Sequence, residues 1–513
     1  MDARRRALLQ AAAALGLGAT LRSVPLWAQP RFHTSPFTLG VASGDPLADG
    51  FVIWTRLAPE PLDGGGMPEA AVEVHWEVAA DERFRQIRRA GVALAHPEAA
   101  HSVHVEVEGL AADRPYWYRF RCGEAHSPVG RSRTTPRLGQ PCAPVTLAWA
   151  SCQHYEQGHY AAWRHLASEP PDLVLHLGDY IYESSSGEPV RRHEGPEPRT
   201  LAAYRNRHAR YKLDPHLQAA HACAPWLCTW DDHEVDNDYA AEHSQDGEPS
   251  EGFLARRAAA YRAYWEHLPL RRRARPEQAE ALLYSASGWG DLLGLFVLDT
   301  RQYRADQACP LPGQGGGRLI EDCAARLAPE RSLLGPPQER WLLGQIGAST
   351  QRWNVLAQPM LMAPLDQKPG AGQAWWSDGW DGYPAARARI LQHLHSRAVP
   401  NPVVLGGDIH SFWASDLHLD GADPASPRVA SEFVGTSISS HGVSQQTFSA
   451  LLPDNPHVRY FDARFRGYAR ARVDAREWRT EFLAVSEVRD PDSPVAVHAR
   501  FVVEAGRPGV QTT

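Results

Sequence analysis

The sequence predicts an α/β domain that follows a smaller all-β domain. From residues 37 to 137, short runs alternate apolar and polar side chains, which is the period of half-buried strands. After Pro136, short continuous apolar runs alternate with stretches of helical periodicity. That alternation is typical of an α/β domain with mainly parallel strands or a layered mixed sheet. A chain of 513 residues with 43% hydrophobic content is long and apolar enough for both domains.

Residues 1–30 have the order of a secretory signal. Arg4, Arg5 and Arg6 precede an Ala-rich apolar stretch over residues 7–21, and this stretch is too short to span a bilayer comfortably. The run that starts at Arg5-Arg6 resembles a twin-arginine signal. We therefore expect the twin-arginine export machinery as a partner, a periplasmic or extracellular location, and no stable membrane span after processing.

Residues 31–138 are expected to form an N-terminal β-sandwich. The runs at 72–78 and 103–107 alternate strictly, and 116–120 adds a strand with aromatic anchors. Gly, Pro and Asp punctuate these runs, as in a sandwich of short strands. Such a domain is either an adhesive module or a scaffold that packs on the domain after it.

Residues 139–513 form the predicted α/β domain. The expected strands lie at residues 145–150, 173–177, 226–230, 295–298, 353–357, 403–405 and 495–503. Between them, Leu254, Ala258, Tyr261 and Trp265 share the spacing of one helical face, which indicates core packing.

Four of these apolar runs are followed by residues of the types that serve as metal ligands in proteins. In chain order the candidates are Cys152, Asp179 with Tyr182, Asp232, and Asp408 with His410. In open α/β sheets, binding sites form beyond the carboxyl ends of strands. Any one of these residues alone is compatible with a turn or with core packing, but the four strand ends together predict one shared site.

The types of ligand suggest which ions bind. The Cys152 thiolate and the Tyr182 phenolate suit a transition ion such as Fe³⁺, and Asp179 is able to bridge two ions. The carboxylates of Asp232 and Asp408 suit Ca²⁺, Mg²⁺ or Mn²⁺. Asp408 and His410 alternate along an extended segment, so both side chains can face one centre.

Charge and cysteine content narrow the alternatives. The formal net charge is −7, which argues against a general nucleic-acid-binding role. Seven cysteines cannot all pair within one chain. Cys309 and Cys323 flank a Gly-Pro-rich loop and are the best disulfide candidates, whereas Cys223 and Cys228 are left open.

Taken together, these motifs resemble the PhoD-like alkaline phosphatases and phosphodiesterases, which are related to purple acid phosphatases. The resemblance rests on residues 39–46, 52–57, 150–153, 176–183, 229–237, 298–301, 353–358 and 407–411. It implies a calcineurin-like four-layer αββα metallophosphoesterase domain after the β-sandwich. The implied enzyme is an exported phosphatase or phosphodiesterase that hydrolyses phosphate mono- or diesters, small or polymeric, by metal-activated water, for phosphate acquisition.

The resemblance also implies a ligand set. Fe³⁺ is expected at Cys152, Asp179, Tyr182 and His410, and Ca²⁺ near Asp179, Asp232 and Asp408, with Asn237 as a further ligand. Adjacent Asp231 and Asp232 cannot direct both carboxylates the same way in an extended backbone, which leaves Asp231 open as a ligand. Gln358 is followed by Pro359, where the resemblance leads us to expect a second Gln, so its role as a ligand is also open.

Two residues have expected catalytic roles. His233 is the candidate for protonating the leaving group or holding a phosphate oxygen, with a structural role as its alternative. Arg301 is the candidate for pairing bidentately with phosphate, and a salt bridge beneath the sheet is the equal alternative.

Two other classes of function remain open at this stage. The first is a metal-free cysteine hydrolase that uses Cys152 with His233 or His410, although it leaves the Asp motifs unexplained. The second is a non-catalytic surface-binding protein. The loop at 184–198 and the Trp-rich segment 375–380 are the candidate rims of the site, and they leave the substrate undefined.

Overall fold

The computed structural model describes residues 32–187, 189–421 and 423–513. The expected signal at residues 1–30 lies outside this part of the chain. The strands β1–β24 span, in chain order, Val41–Leu47, Gly50–Arg56, Val72–Ala79, Ile87–Ala95, Ser102–Val107, Pro115–Cys122, Ala125–His126, Gly130–Arg133, Val145–Ala150, Leu173–Leu177, Pro225–Thr229, Ser285–Trp289, Leu293–Val297, Leu319–Ile320, Trp353–Ala357, Trp375–Trp376, Pro402–Gly406, Phe412–His418, Arg428–Val434, Val458–Asp462, Arg466–Val473, Glu477–Val485, Val495–Glu504 and Arg507–Thr512. The helices α1–α7 span Ala161–Ser168, Leu201–Lys212, Pro215–Cys223, Ser250–His267, Gly335–Gly347, Pro384–Ser396 and Gln445–Ser449.

Two large mixed sheets form the centre of the molecule. The first has ten strands in the order β24-β23-β22-β21-β9-β10-β11-β1-β2-β5, in which β9, β10, β11 and β1 run parallel. The second has seven strands in the order β12-β13-β15-β17-β19-β18-β20, in which β13, β15, β17 and β19 run parallel. The expectation of an α/β fold with mixed, layered sheets is confirmed.

The cores show how these layers stack. One core joins Leu175 of the ten-stranded sheet to Val355 and Val403 of the seven-stranded sheet. A second lies between the other face of the ten-stranded sheet and helices α1–α4, and a third lies between the seven-stranded sheet and helices α5 and α6. Helices therefore cover the outer face of each sheet, while the inner faces pack on each other.

The N-terminal strands are divided between two sheets. Strands β3, β4, β6, β7 and β8 form a separate five-stranded sheet. Strands β1, β2 and β5 instead extend the ten-stranded sheet, with Ser43 of β1 opposite Pro225 of β11. The five-stranded sheet packs on this extension through an apolar core that includes Val41, Ile53 and Val74. The N-terminal strands thus contribute to two packed sheets, one of which they share with the rest of the protein.

Most of the predicted elements are found, with small shifts. The runs at 145–150, 173–177 and 353–357 match β9, β10 and β15, and the run at 226–230 lies one residue beyond β11. The predicted helical stripe falls within α4, but Leu254 and Ala258 are only partly buried, since the core face runs through Phe253, Ala260 and Tyr261. The expected closing strand is β23, and the hairpin strand β24 after it was not anticipated.

Cys309 and Cys323 form a disulfide, as predicted. Within the described residues, Cys122, Cys142, Cys152, Cys223 and Cys228 are free thiols. In the same part of the chain, none of the helices combines the length and apolar character that a bilayer crossing requires.

Candidate metal centre

The site forms where the carboxyl ends of strands from both large sheets meet. Cys152 follows β9, Asp179 follows β10, Asp232 follows β11, and Asp408 and His410 follow β17. The ligand atoms of Cys152, Asp179 and His410 all lie within 4.8 Å of one another. Those of Asp179, Asp232 and His233 form a second group of the same size. Asp179 belongs to both groups.

Tyr182 completes the first group. Its hydroxyl donates to Asp179 Oδ2 at 2.9 Å and lies 3.1 Å from His410 Nε2. His410 Nδ1 lies 2.6 Å from the carbonyl oxygen of His441, which accepts only, so Nδ1 carries the proton and Nε2 presents its lone pair. Burial, then the positive charge of Arg466, lowers the pKa of His410 to about 3, so the ring is neutral.

The backbone at the site is unusual for its sequence. Cys152, Asp179, Asp408 and His410 have φ values of 59°, 55°, 64° and 52°, in the left-handed region that non-glycine residues rarely adopt. Such conformations persist where surrounding contacts enforce them, and they concentrate at functional sites. They direct these side chains toward the common centre as each strand ends.

Glu234 fixes two of these strand ends to each other. Its carboxylate accepts N–H bonds from Asp179 at 3.2 Å, Tyr180 at 2.6 Å and Asp231 at 2.8 Å. Burial raises the pKa of Glu234 to about 8, against the lowering effect of the Tyr180 and Asp231 N–H bonds. Glu234 therefore positions Asp179 by holding the backbone, as its three bonded partners are main-chain groups.

His233 is held by another acid. Its Nδ1 lies 2.7 Å from Glu183 Oε2, and its ring lies over that of Tyr182 with the centroids 4.1 Å apart. Burial alone would lower the pKa of His233, but the carboxylates of Glu183, Asp232 and Asp179 raise it well above its usual range. Because Glu183 holds Nδ1, Nε2 is the ring nitrogen that is left for other partners.

Arg301 lies in a buried network of ion pairs. Its side chain is 0% exposed, and its Nε lies 2.6 Å from Asp231 Oδ1. Its other nitrogens lie 2.9 Å from Asp378 Oδ2 and 3.6 Å from Asp232 Oδ1. This geometry corresponds to the salt-bridge alternative for Arg301, and it also occupies the nearer oxygen of Asp231.

The remaining predicted ligands are placed less centrally. Asp408 is half-buried and joins neither group of three, although burial and then Asp231 and Asp232 raise its pKa well above the usual range. Asn237 donates its backbone N–H to Glu183 Oε1 at 3.2 Å, and its amide bonds to Gln245. Gln358 Oε1 accepts from Met360 N at 3.0 Å and Trp380 Nε1 at 3.1 Å, so its hydrogen bonds are local.

Cys152 lacks the environment of a nucleophile. Its thiol donates to Ser151 Oγ at 3.0 Å, and burial, followed by the charge of Asp179, raises its pKa well above the usual range. A catalytic thiol instead needs a lowered pKa. A bound cation would reverse this effect, because metal coordination deprotonates a thiol.

Several residues that shape the site were missed by the sequence analysis. Glu183 and Glu234 lie in the segments that follow β10 and β11, among the candidate ligands. That position was the only sign in the sequence that they belong to the site. Ser440 donates to Tyr182 Oη at 2.9 Å, and Arg466 donates to the carbonyl of His410 at 3.0 Å. Ser440 and Arg466 lie in segments without a recognisable motif.

The donor set fits metal ions. Asp179 Oδ1 and Asp232 Oδ1 are buried without a hydrogen-bond partner in the described structure. Arg301 lies 3.6 Å from Asp232 Oδ1 and compensates it in part. Asp179 Oδ1, beside a thiol and a neutral imidazole, is costly to bury unless a cation lies next to it.

Comparison with known proteins identifies the family of this chain. Residues 147–482 match the family model described as PhoD-like phosphatase, and residues 22–136 match the model of the PhoD-like phosphatase N-terminal domain. Alkaline phosphatase D of Bacillus subtilis (strain 168) is 46% identical over 523 aligned residues, covering 99% of this chain and 88% of that protein. A solved structure titled "Structure of PhoD" superposes with a TM-score of 0.90 at 46% identity, covering 94% of this chain and 93% of the other.

The fold and these relatives define the protein as a phosphoric ester hydrolase. The chain belongs to the PhoD-like phosphatase family, which confirms the resemblance found in the sequence.

Gly178 permits the close approach of two ligand-bearing strand ends. Its φ is +95°, and a Cβ there would lie 2.6 Å from Asp231 Cβ. We expect Gly178→Ala to lower the free energy of unfolding by about 2 kcal/mol or more, since backbone strain and overpacking add. Urea denaturation measures this change. Gly139→Ala is the matched control, because Gly139 has a φ of +76° and open space around its Cβ position. Equal losses in both variants would contradict a packing role for Gly178.

Proposed function

We propose that this chain hydrolyses phosphate mono- or diesters at a centre of at least two metal ions. The observation that carries the proposal is that the Asp179 carboxylate lies within 4.8 Å of the ligand atoms of Cys152 and His410 and also of an Asp232 oxygen. A carboxylate shared in this way is suited to bridging two cations. The stacking of helices on the outer faces of two packed sheets further supports a calcineurin-like arrangement.

The two groups suit different ions. Cys152, Tyr182 and His410 offer a thiolate, a phenolate and an imidazole, which favour Fe³⁺. On the other side of Asp179, Asp232 offers hard oxygen, which favours Ca²⁺. Asp408 and Asn237 remain proposed ligands at the edge of this second position.

The chain's own groups would orient and protonate the substrate. When bound, the ions supply positive charge for the phosphate oxygens and lower the pKa of water. Glu183 holds Nδ1 of His233 and Tyr182 packs on its ring, so that a proton on Nε2 would be the one presented to the substrate. We assign to that proton the protonation of the leaving alkoxide. Arg301 would act through Asp231 and Asp378 by bracing the end of β11 against charge repulsion.

We also propose that the protein is exported to the periplasm or beyond and serves phosphate acquisition. The order of charged and apolar residues over 1–30 supports the twin-arginine pathway. The Cys309–Cys323 disulfide supports an oxidising compartment.

The export proposal is tested at the twin arginines. We expect the double variant Arg5→Lys, Arg6→Lys to stay in the cytoplasm, because the pathway reads the arginine pair. Immunoblots of cell fractions measure its location, with Arg4→Lys as the neighbouring control. Normal export of the double variant would contradict the assignment.

Asp179→Asn tests the metal centre itself. The amide keeps the size of the side chain but removes the negative charge that two cations would share. We expect loss of at least one metal by elemental analysis, and a fall in kcat of about 10²-fold or more on p-nitrophenyl phosphate or bis-p-nitrophenyl phosphate. The exposed residue Asp63 provides the control Asp63→Asn. Full metal content with near-normal turnover in Asp179→Asn would reduce Asp179 to a turn residue.

Cys152→Ser tests the identity of the iron ligand. Thiolate and phenolate bound to Fe³⁺ give visible charge-transfer absorption, so we expect a coloured protein. The serine variant should lose iron and shift or weaken that absorption. Cys228→Ser is the matched control, since Cys228 is a buried free thiol on β11. It packs in the core between the ten-stranded sheet and helices α1–α4. A colourless, iron-free and fully active protein would overturn the iron assignment.

A further inference from the structure

An apolar cavity shares one residue, Asp408, with the candidate metal centre. It has a volume of about 290 Å³ and is bounded by Asp408, Ile409 and the segment that follows β15. Asp408 is therefore a wall of the cavity and, at the same time, a proposed ligand of the second ion. A substrate phosphate held at the centre would place its ester group close to this opening.

The walls of the cavity are mainly hydrocarbon. Leu361, Ile409, Val443 and Phe448 line it and remain only partly buried, and Trp376 is 39% exposed. Apolar side chains clustered around an opening mark sites of ligand contact more often than an inert surface.

The second acidic residue that lines the cavity, Asp381, already has partners within the protein. Asp381 accepts from Leu365 N at 2.9 Å and pairs with Arg387 at 2.7 Å. Asp381 is thereby committed to the surrounding structure, which leaves Asp408 as the acid shared between the cavity and the metal centre.

The cavity is held in shape before any ligand arrives. Gln358, which joins no metal group, bonds to both Met360 and Trp380 on its floor. Trp376 lies on β16 and pairs with Leu319 of β14. Leu319 belongs to the loop that the Cys309–Cys323 disulfide closes. A Cβ on Gly317 of the same loop would lie 2.8 Å from the Trp376 ring, so a glycine is needed for this contact. A pre-formed wall reduces the entropic cost of binding.

We propose that this cavity binds the organic group of the substrate, so that the preferred substrates are phosphate esters of apolar alcohols. The inference rests on the proposed function, since it assumes that phosphate is bound beside Asp408. Its volume lies near the lower end of ligand sites, which run from roughly 300 to 1,000 Å³, and so suits a short alkyl chain or one ring.

Affinity for n-alkylphosphonates measures this preference without turnover. We expect isothermal titration of the metal-loaded full chain to show the Kd falling about threefold to fourfold per methylene from methyl- to hexylphosphonate. Hydrolysis of p-nitrophenyl phosphate and bis-p-nitrophenyl phosphate is measured on the same preparation. Failure to hydrolyse either ester would sink the proposed function. Hydrolysis combined with a Kd independent of chain length, or with no phosphonate binding, would overturn only the cavity inference.

Neighbouring tryptophans provide a matched pair of variants. Trp376→Ala should reduce the hexyl-to-methyl affinity ratio about tenfold or more, because it removes the exposed aromatic wall. Trp375 lies on the same short strand but borders a different cavity, beside Arg326. Trp375→Ala should therefore leave the ratio unchanged.

A second variant guards against misfolding of the first. Val443→Phe fills the cavity, so it should lower the hexyl-to-methyl affinity ratio. Unlike Trp376→Ala, it adds apolar surface instead of removing it. Equal effects of Trp375→Ala and Trp376→Ala, or an unchanged ratio in both Trp376→Ala and Val443→Phe, would contradict the proposal.

Discussion

At the carboxyl ends of β9, β10, β11 and β17, the chain gathers more negative charge than its own cations neutralise. Arg301 balances Asp231 and Asp378, and His233 pairs with Glu183. In the described part of the chain, the Oδ1 atoms of Asp179 and Asp232 are buried without hydrogen-bond partners. Burying such charge costs several kcal/mol per ion unless something positive lies beside it. The packed helices, the Glu234 bonds to the backbone and the Arg301 ion pairs hold these acidic residues together. Bound cations would neutralise the charge that remains.

The positions of the central strands and ligands could be predicted, because buried parallel strands appear in the sequence as continuous apolar runs. Cys152, Asp179, Asp232 and His410 each come just after such a run, and strand ends share an edge. The role of Arg301 could not be fixed, since an arginine after β13 has the same sequence context whether it contacts phosphate or Asp231. The roles of Ser440 and Arg466 could not be predicted for a related reason. Each is defined by a partner distant along the chain, and nothing local marks that contact.

The N-terminal strands show the limit of periodicity. Alternation along β3 and β6 predicts which of their side chains are buried, and the core agrees with it, whereas β2 is buried at every position. It contains no information on the partner of a strand, so the pairing of β1 with β11 could not be foreseen. The left-handed backbone at Cys152, Asp179, Asp408 and His410 was equally hidden, because these residues do not carry the glycine signature of that conformation.

The order of strands in the ten-stranded sheet bears on how the protein is made. Strand β1 leaves the ribosome early, but its parallel neighbour is Pro225–Thr229. Strand β9 has β10 on one side and, on the other, β21 at Arg466–Val473 near the end of the sequence. Contacts this distant along the chain slow folding and leave strand edges exposed in the meantime. The nascent chain must therefore stay partly unpaired, and dependent on protection from aggregation, until β21 has been synthesised.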